Sequence, residues 1–291
     1  MQNSGHEKTN PKRWLALIAI SLGVFMALID TTVVNVALPS IQTSLNASYS
    51  DLQWVISSYT IVFSVLLLIW AKLGDLYGRK LMFMVGLVIF TIGSGLDAAS
   101  TTIGMLHIFR AVQAIGGSAL MSLSFALIGT SFDGKERGIA LGILSSIIGL
   151  STASGPLLGG WLVDAFSWQS IFTINLPVGV VTIILAWLFI SNKQAHRASG
   201  QVDFLGMLLS AGTIFSLVFG LVQKEMHTDW GWGELQVAGY LATAVVLFAL
   251  FIWRQKTAKN PMMDLSMFKS SSFTGAVIIA FFLGAGLYGF F

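Results

Sequence analysis

Apolar residues run in nine long blocks separated by short polar gaps: 14–38, 52–71, 81–99, 103–128, 138–163, 168–190, 204–222, 235–253 and 273–291. A helix needs about 20 such residues to cross a hydrocarbon core of about 30 Å. In lipid each backbone N–H and C=O must be satisfied within its own segment, so blocks of this length predict helices. A transmembrane β-barrel would show short alternating stretches instead. The first block follows Lys12 and Arg13, as a signal peptide's apolar core would. It is longer than such a core, carries Asp30 and Asn35, and lacks a convincing small-residue cleavage site. It is read as the first span.

Composition agrees. Hydrophobic residues make up 55% of the 291 positions and charged residues 10%, against about 25% charged in soluble domains. That excludes a soluble enzyme or a nucleic-acid-binding module and predicts an all-α integral membrane protein. There is no cysteine, and the four histidines are scattered without forming a ligand pair, so no metal or cofactor is expected. Of the sixteen Lys and Arg residues, all but Arg110 and Lys224 fall before span 1 or in alternate connections, after spans 2, 4, 6 and 8. By the positive-inside rule this side is cytoplasmic and the N-terminus lies there, in the cell membrane. The basic balance thus reflects topology. All nine tryptophans sit at span boundaries, where amphipathic rings prefer the headgroup level.

The expected organisation is a cytoplasmic segment 1–13, a six-helix bundle 14–190, a polar linker 191–203, two further helices within 204–253, a cytoplasmic loop 254–272 and a ninth helix 273–291. The last span stops at Phe291 without a polar anchor. An odd number of spans would leave that end outside, so the expectation is a chain cut short.

Two formal charges stand inside apolar runs, Asp30 in span 1 and Arg110 in span 4. Each costs about 2.5–3.5 kcal/mol at a helix centre on insertion scales, so neither should face lipid. One reading is a structural pair; the other is a proton or substrate site lining a polar cavity. His107, Arg110, Gln113 (or Ala114) and Gly117 share a face of span 4, a suitable lining for a wet passage. Span 5 carries small residues at helical spacing, through Gly149 to Gly155-Pro156 and Gly159-Gly160. This is either close packing or a hinge against which another element rocks. In the connection AKLGDLYGRK (71–80), Gly74 and Gly78 permit a tight reversal. Asp75 is placed to accept from free N–H groups at a helix start, and Arg79 and Lys80 fix the cytoplasmic side.

Together these segments resemble the major facilitator superfamily. AKLGDLYGRK is similar to its loop signature Gly-x-Leu-x-Asp-Arg-x-Gly-Arg-Lys. LIDTTVVNVALPS (28–40) resembles the span 1 signature of its fourteen-span drug:proton antiporters, RAVQAIGGSA (110–119) the span 4 pattern, and GLSTASGPLLGGWL (149–162) the span 5 antiporter signature. WQSIFTINLPVG (168–179) and NPMMDLSMFKSSSF (260–273) match the start of span 6 and the approach to span 9.

The resemblance implies a six-helix N-terminal bundle, two linker helices (spans 7 and 8) and the first helix of an incomplete second bundle, with spans 10 to 14 missing. It implies proton-coupled efflux of lipophilic small molecules by alternating access, driven by the proton gradient without a cofactor. Asp30, Asn35, Arg110 and Gln113 would serve coupling. Gly74, Asp75, Gly78, Arg79 and Lys80 would form a cytoplasmic gating loop. Gly149, Gly155, Pro156, Gly159 and Gly160 would form the antiport hinge. Ala71 and Leu76 replace a glycine and an arginine of the loop signature, and Ala114 replaces the glycine after Gln113. The expected partners are protons, a small lipophilic substrate and the bilayer. Two other classes are open to such a chain. For an intramembrane protease the sequence lacks a nucleophile motif. A non-transporting membrane fragment or subunit is compatible with a missing half.

Overall fold

The computed structural model describes residues 12–191 and 203–288. Ten α-helices and one 3₁₀ turn follow in order: α1 (Lys12–Leu45), α2 (Tyr49–Tyr77), α3 (Arg79–Ala98), α4 (Ile103–Ser131), α5 (Gly134–Ala165), α6 (Ser170–Thr173), α7 (Asn175–Phe189), α8 (Phe204–Met226), α9 (Leu235–Thr257), η1 (Leu265–Lys269) and α10 (Ser271–Tyr288). Among the described residues, eight helical segments are long and apolar enough to cross a membrane, with α6 and α7 together making one. The ninth apolar run falls in α10 and in residues 289–291, which lie outside the described ones. Segment 1–13 before Lys12 and most of the linker 191–203 also lie outside them.

The helices outrun the apolar blocks because hydrocarbon thickness sets the block while capping sets the helix end. At the start of α2, Ser48 Oγ accepts from the Asp51 N–H while Asp51 Oδ2 accepts from the Ser48 N–H at 2.9 Å, a reciprocal cap. α1 continues through Pro39 to Leu45, past the expected end at residue 38. Pro39 removes one N–H without ending the helix. The sixth span is interrupted at Ile174. Pro177, in the first turn of α7, has no N–H to offer the carbonyl four residues back, which favours a new helix start there.

α1 lies centrally and packs on α4, α5 and α7, while α3 packs on α4 and α7. Small residues bring α3 and α4 close: a Cβ at Gly93 would stand 2.6 Å from the Gln113 Cα, and one at Gly116 2.3 Å from the Phe90 N. This is how membrane helices associate when lipid is as apolar as they are. α8 and α9 form a hairpin laid against α2. Its open end is clasped by Asp203, whose Oδ1 accepts from Arg254 Nε at 2.9 Å and from the Gly206 N–H at 3.1 Å. Nearby, Lys72 Nζ of α2 donates to the Pro261 carbonyl at 3.1 Å, tying the segment before η1 back to the bundle.

Candidate proton and substrate site

Asp30 and Arg110 meet. Both are buried, and Arg110 Nη1 donates to Asp30 Oδ2 at 2.5 Å. Their helices cross there because α1 runs through the middle of the bundle against α4. Gln113, one turn beyond Arg110 on α4, accepts from the guanidinium through its Oε1. Its Nε2 donates to Asp30 Oδ1 at 2.8 Å and to Ser94 Oγ of α3 at 2.6 Å. Asn175, opening α7, donates to the same Ser94 Oγ at 2.9 Å and to Asp30 Oδ1 at 3.5 Å. Side chains of α3, α4 and α7 thus form one network around a carboxylate of α1. Arg110 Nε reaches the Val55 carbonyl at 3.4 Å, and its guanidinium lies over the Tyr59 ring, 4.3 Å from the centroid. Tyr59 donates to the Ala27 carbonyl at 3.2 Å. A desolvated cation is tolerable only when so enclosed by a carboxylate, carbonyls and an aromatic face.

Of the coupling residues expected from sequence, Asp30, Arg110 and Gln113 come together and Asn35 does not. Asn35 is exposed, five residues and about 140° around α1 from Asp30. The asparagine beside Asp30 is Asn175 of α7. Sequence reasoning missed Asn175, Ser94 and Tyr59, which as uncharged residues do not stand out from an ordinary span. The signal available for Asn175 was its place two residues before Pro177, where a helix start turns a side chain inward. His107 donates from Nε2 to the Asp51 carbonyl at 2.9 Å, away from the ion pair.

Beside Asp30 lies a cavity of about 60 Å³, room for a few waters. Its wall includes Phe25, Ile29, Asn175 and Val178. A second, larger hollow of about 460 Å³ opens between α1 and α5, and its lining of Trp14, Leu17, Ile18, Phe25, Ile147 and neighbours is almost wholly apolar. Phe25 belongs to both.

The connection 71–80 is a compact knot. Gly78 adopts φ 105° between α2 and α3, a conformation that suits glycine. Asp75 does not cap α3, as the sequence suggested: it sits in the last turn of α2 and its Oδ1 accepts from Arg79 Nη2 at 2.7 Å and Nε at 3.1 Å. One turn before the end of a helix a carboxylate points back along that helix, out of reach of the next one's free N–H groups. Arg79 Nη1 also donates to the Ala126 carbonyl of α4 at 3.1 Å, and Lys80 Nζ to the Trp187 carbonyl of α7 at 2.7 Å. A Cβ at Gly74 would strike Leu123 Cδ2 at 2.3 Å. The span 5 residues separate by face. Gly155 and Gly159 are buried against Thr32 and Val33 of α1. Gly149 and Pro156 are exposed, and a side chain at Gly149 or Gly160 would meet open space.

Comparison with known proteins places this architecture. The sequence family described as Major Facilitator Superfamily matches residues 20–291. The chain belongs to the major facilitator superfamily. Within it, the chain is 35% identical over 279 residues to the Tetracenomycin C resistance and export protein of Streptomyces glaucescens, covering 94% of this chain and 51% of that protein. It is 37% identical over 269 residues to the multidrug resistance protein Stp of Mycobacterium tuberculosis, covering 92% and 49%. The methylenomycin A resistance protein of Bacillus subtilis is 35% identical, covering 99% and 62%. The chain therefore spans about half the length of several curated relatives. Among solved structures, a bacterial homolog of the human lysosomal transporter Spinster superposes with a TM-score of 0.54 at 20% identity, covering 88% of this chain and 64% of that one. The human organic anion transporter MFSD10 gives 0.52 at 15% identity, covering 83% and 72%. These two likenesses establish the fold alone.

Proposed function

We propose that this chain is the proton-coupled half of an exporter of lipophilic small molecules, set in the cell membrane with its N-terminus in the cytoplasm and working by antiport. The carrying observation is Asp30, a buried carboxylate that answers to Arg110, Gln113 and Asn175 from two other helices. When Asp30 is ionised the network is charge-balanced and closed. A proton on Asp30 cancels its charge, leaves Arg110 uncompensated and loosens the grip of α1 on α4. α1 carries Thr32 and Val33 just beyond, where α5 rests. Protonation is thereby linked to the helix whose exposed side carries Gly149 and Pro156. The apolar hollow between α1 and α5 suits a lipophilic cargo, and resistance and export relatives support that substrate class.

The energetics suffice. A potential of about 150 mV supplies roughly 3.5 kcal/mol per proton, and half a pH unit adds about 0.7. At about 1.4 kcal/mol per decade, one proton per neutral cargo sustains about a thousandfold gradient.

The test is efflux in everted vesicles from cells expressing the protein from its native reading frame. Asp30→Asn inserts normally and loses proton-driven transport; normal coupled transport by that variant refutes the role. The half-length match to relatives favours a second reading, a membrane subunit or fragment that does not transport alone. Vesicles holding only residues 1–291 separate the two: gradient-dependent efflux from them removes the second reading.

A further inference from the structure

Asp97 lies outside the Asp30 network yet close beside it. It sits on α3 three residues past Ser94, hence on the same face and one turn nearer the helix end assigned to the outside. Its exposure is 0%, and neither carboxyl oxygen has a hydrogen-bond partner among the described residues. The charged and titratable groups within its electrostatic reach come from the helices around α3: Asp30 of α1, Tyr59 of α2 and Arg110 of α4. His107, the other titratable group on this stretch of α4, is engaged with the Asp51 carbonyl. α6 brings no titratable residue, and α7 brings the neutral Asn175.

An ionised carboxylate with no donor and no direct cation is the costliest group a protein can bury, and such a group takes up a proton instead. A structural carboxylate would have been given partners, as Asp203 has been. We infer that Asp97 is a second proton-binding carboxyl, which loads on the outer side of the Asp30–Arg110 pair and hands its proton inward to Asp30. With Asp97 as the acid, Asp30 ionised and Arg110 cationic, the three groups sum to zero charge. In the hand-over one O–H bond breaks at Asp97 and one forms at Asp30, and the sum stays zero. Ser94, three residues before Asp97 on α3, joins that helix to the Asp30 network by accepting from Gln113 and Asn175, both of which also donate to Asp30. Asp97 then recharges from outer water when the site opens.

The transport consequence rests on the proton-coupled reading above; the protonation itself does not. The experiment is infrared pH-difference spectroscopy of the protein from its native reading frame, reconstituted in liposomes, with efflux measured in parallel. Among the carboxylic C=O bands that titrate in the wild type, Asp97→Asn removes one and Asp30→Asn another. An unchanged band pattern in Asp97→Asn overturns the inference. In transport, Asp97→Asn lowers gradient-driven accumulation by about tenfold or more, the factor that about 1.4 kcal/mol of lost driving force removes, while downhill exit persists. Asp97→Glu restores accumulation. Wild-type accumulation by folded Asp97→Asn overturns the relay. If Asp97→Asn does not fold, Asp97→Glu carries the test, and a folded Asp97→Glu lacking a second titrating band overturns the proposal. Coupled transport surviving in Asp30→Asn, with the Asp97 band present, removes the coupling role of Asp30 and leaves Asp97 as a proton site.

Discussion

Gly155 of α5 and Thr32 of α1 touch so closely that a methyl group on the glycine would lie 1.9 Å from Thr32 Oγ1 and 2.5 Å from its Cβ. Thr32 is two residues from Asp30. The small-residue stripe of α5 therefore bears directly on the segment of α1 that holds the buried carboxylate.

Gly155→Ala should destabilise by about 1–3 kcal/mol, the usual penalty for overpacking a filled contact. Thermal unfolding in detergent gives the number. Thr32→Gly, which removes the atoms in the way, should recover most of the loss, so the double-mutant cycle should be strongly non-additive. Gly149→Ala, facing open space, should cost little by the same measure. An equal loss at both glycines would mean that the contact with Thr32 is not what matters.

Asp30→Leu should destabilise by about 3–5 kcal/mol, since it strands a buried guanidinium. Asp30→Leu combined with Arg110→Met removes both charges and should be the more stable protein of the two. Denaturation of single and double variants in one detergent decides it. A double variant as unstable as the sum of its parts would contradict the pairing of these side chains.

Arg79 gives a different balance. Its partner Asp75 is 44% exposed at the side chain and Arg79 31%, so solvent screens the pair and it contributes about 0.3–0.5 kcal/mol. Asp75→Asn should thus change stability little. Arg79→Lys keeps the charge but replaces a fork of donors by a single ammonium, so it cannot hold both Asp75 and the Ala126 carbonyl. Cross-linking between cysteines placed at the ends of α2 and α4 should become faster in Arg79→Lys than in Asp75→Asn.

Phe25 borders both the apolar hollow and the cavity at Asp30. Phe25→Ala should join the two spaces. The expected result is an altered ranking of cargoes in efflux assays with the pH dependence of transport unchanged. A shifted pH dependence would assign Phe25 to the coupling machinery instead.

The spans were legible from block length, and Asp30, Arg110 and Gln113 from the expense of placing such groups in hydrocarbon. What could not be read was which residues complete the circle. Ser94 and Asn175 cost too little in a span to stand out, and only the crossing of α3, α4 and α7 gives them partners. Asp97 escaped notice because it lies two residues from the end of its apolar block, where a carboxylate passes for interfacial. Asn35 is the opposite case, near Asp30 along the chain but exposed and turned away around the helix. Asp75 was assigned to the wrong helix, since its partner Arg79 is set by a side chain's direction and not by spacing alone.

The network at Asp30 also constrains how the protein is made. Arg110 follows Asp30 by 80 residues and Asn175 follows it by 145. At roughly 5–20 residues per second of synthesis, the carboxylate waits roughly 4–16 s for its cation and longer for its amide. Through that interval the first helix must remain in the insertion machinery, or take up a proton, before its polar side can be sheltered. Ribosome stalling between the first and fourth spans should therefore leave a nascent chain that membrane quality-control proteases recognise, whereas stalling after the sixth span has left the ribosome should not.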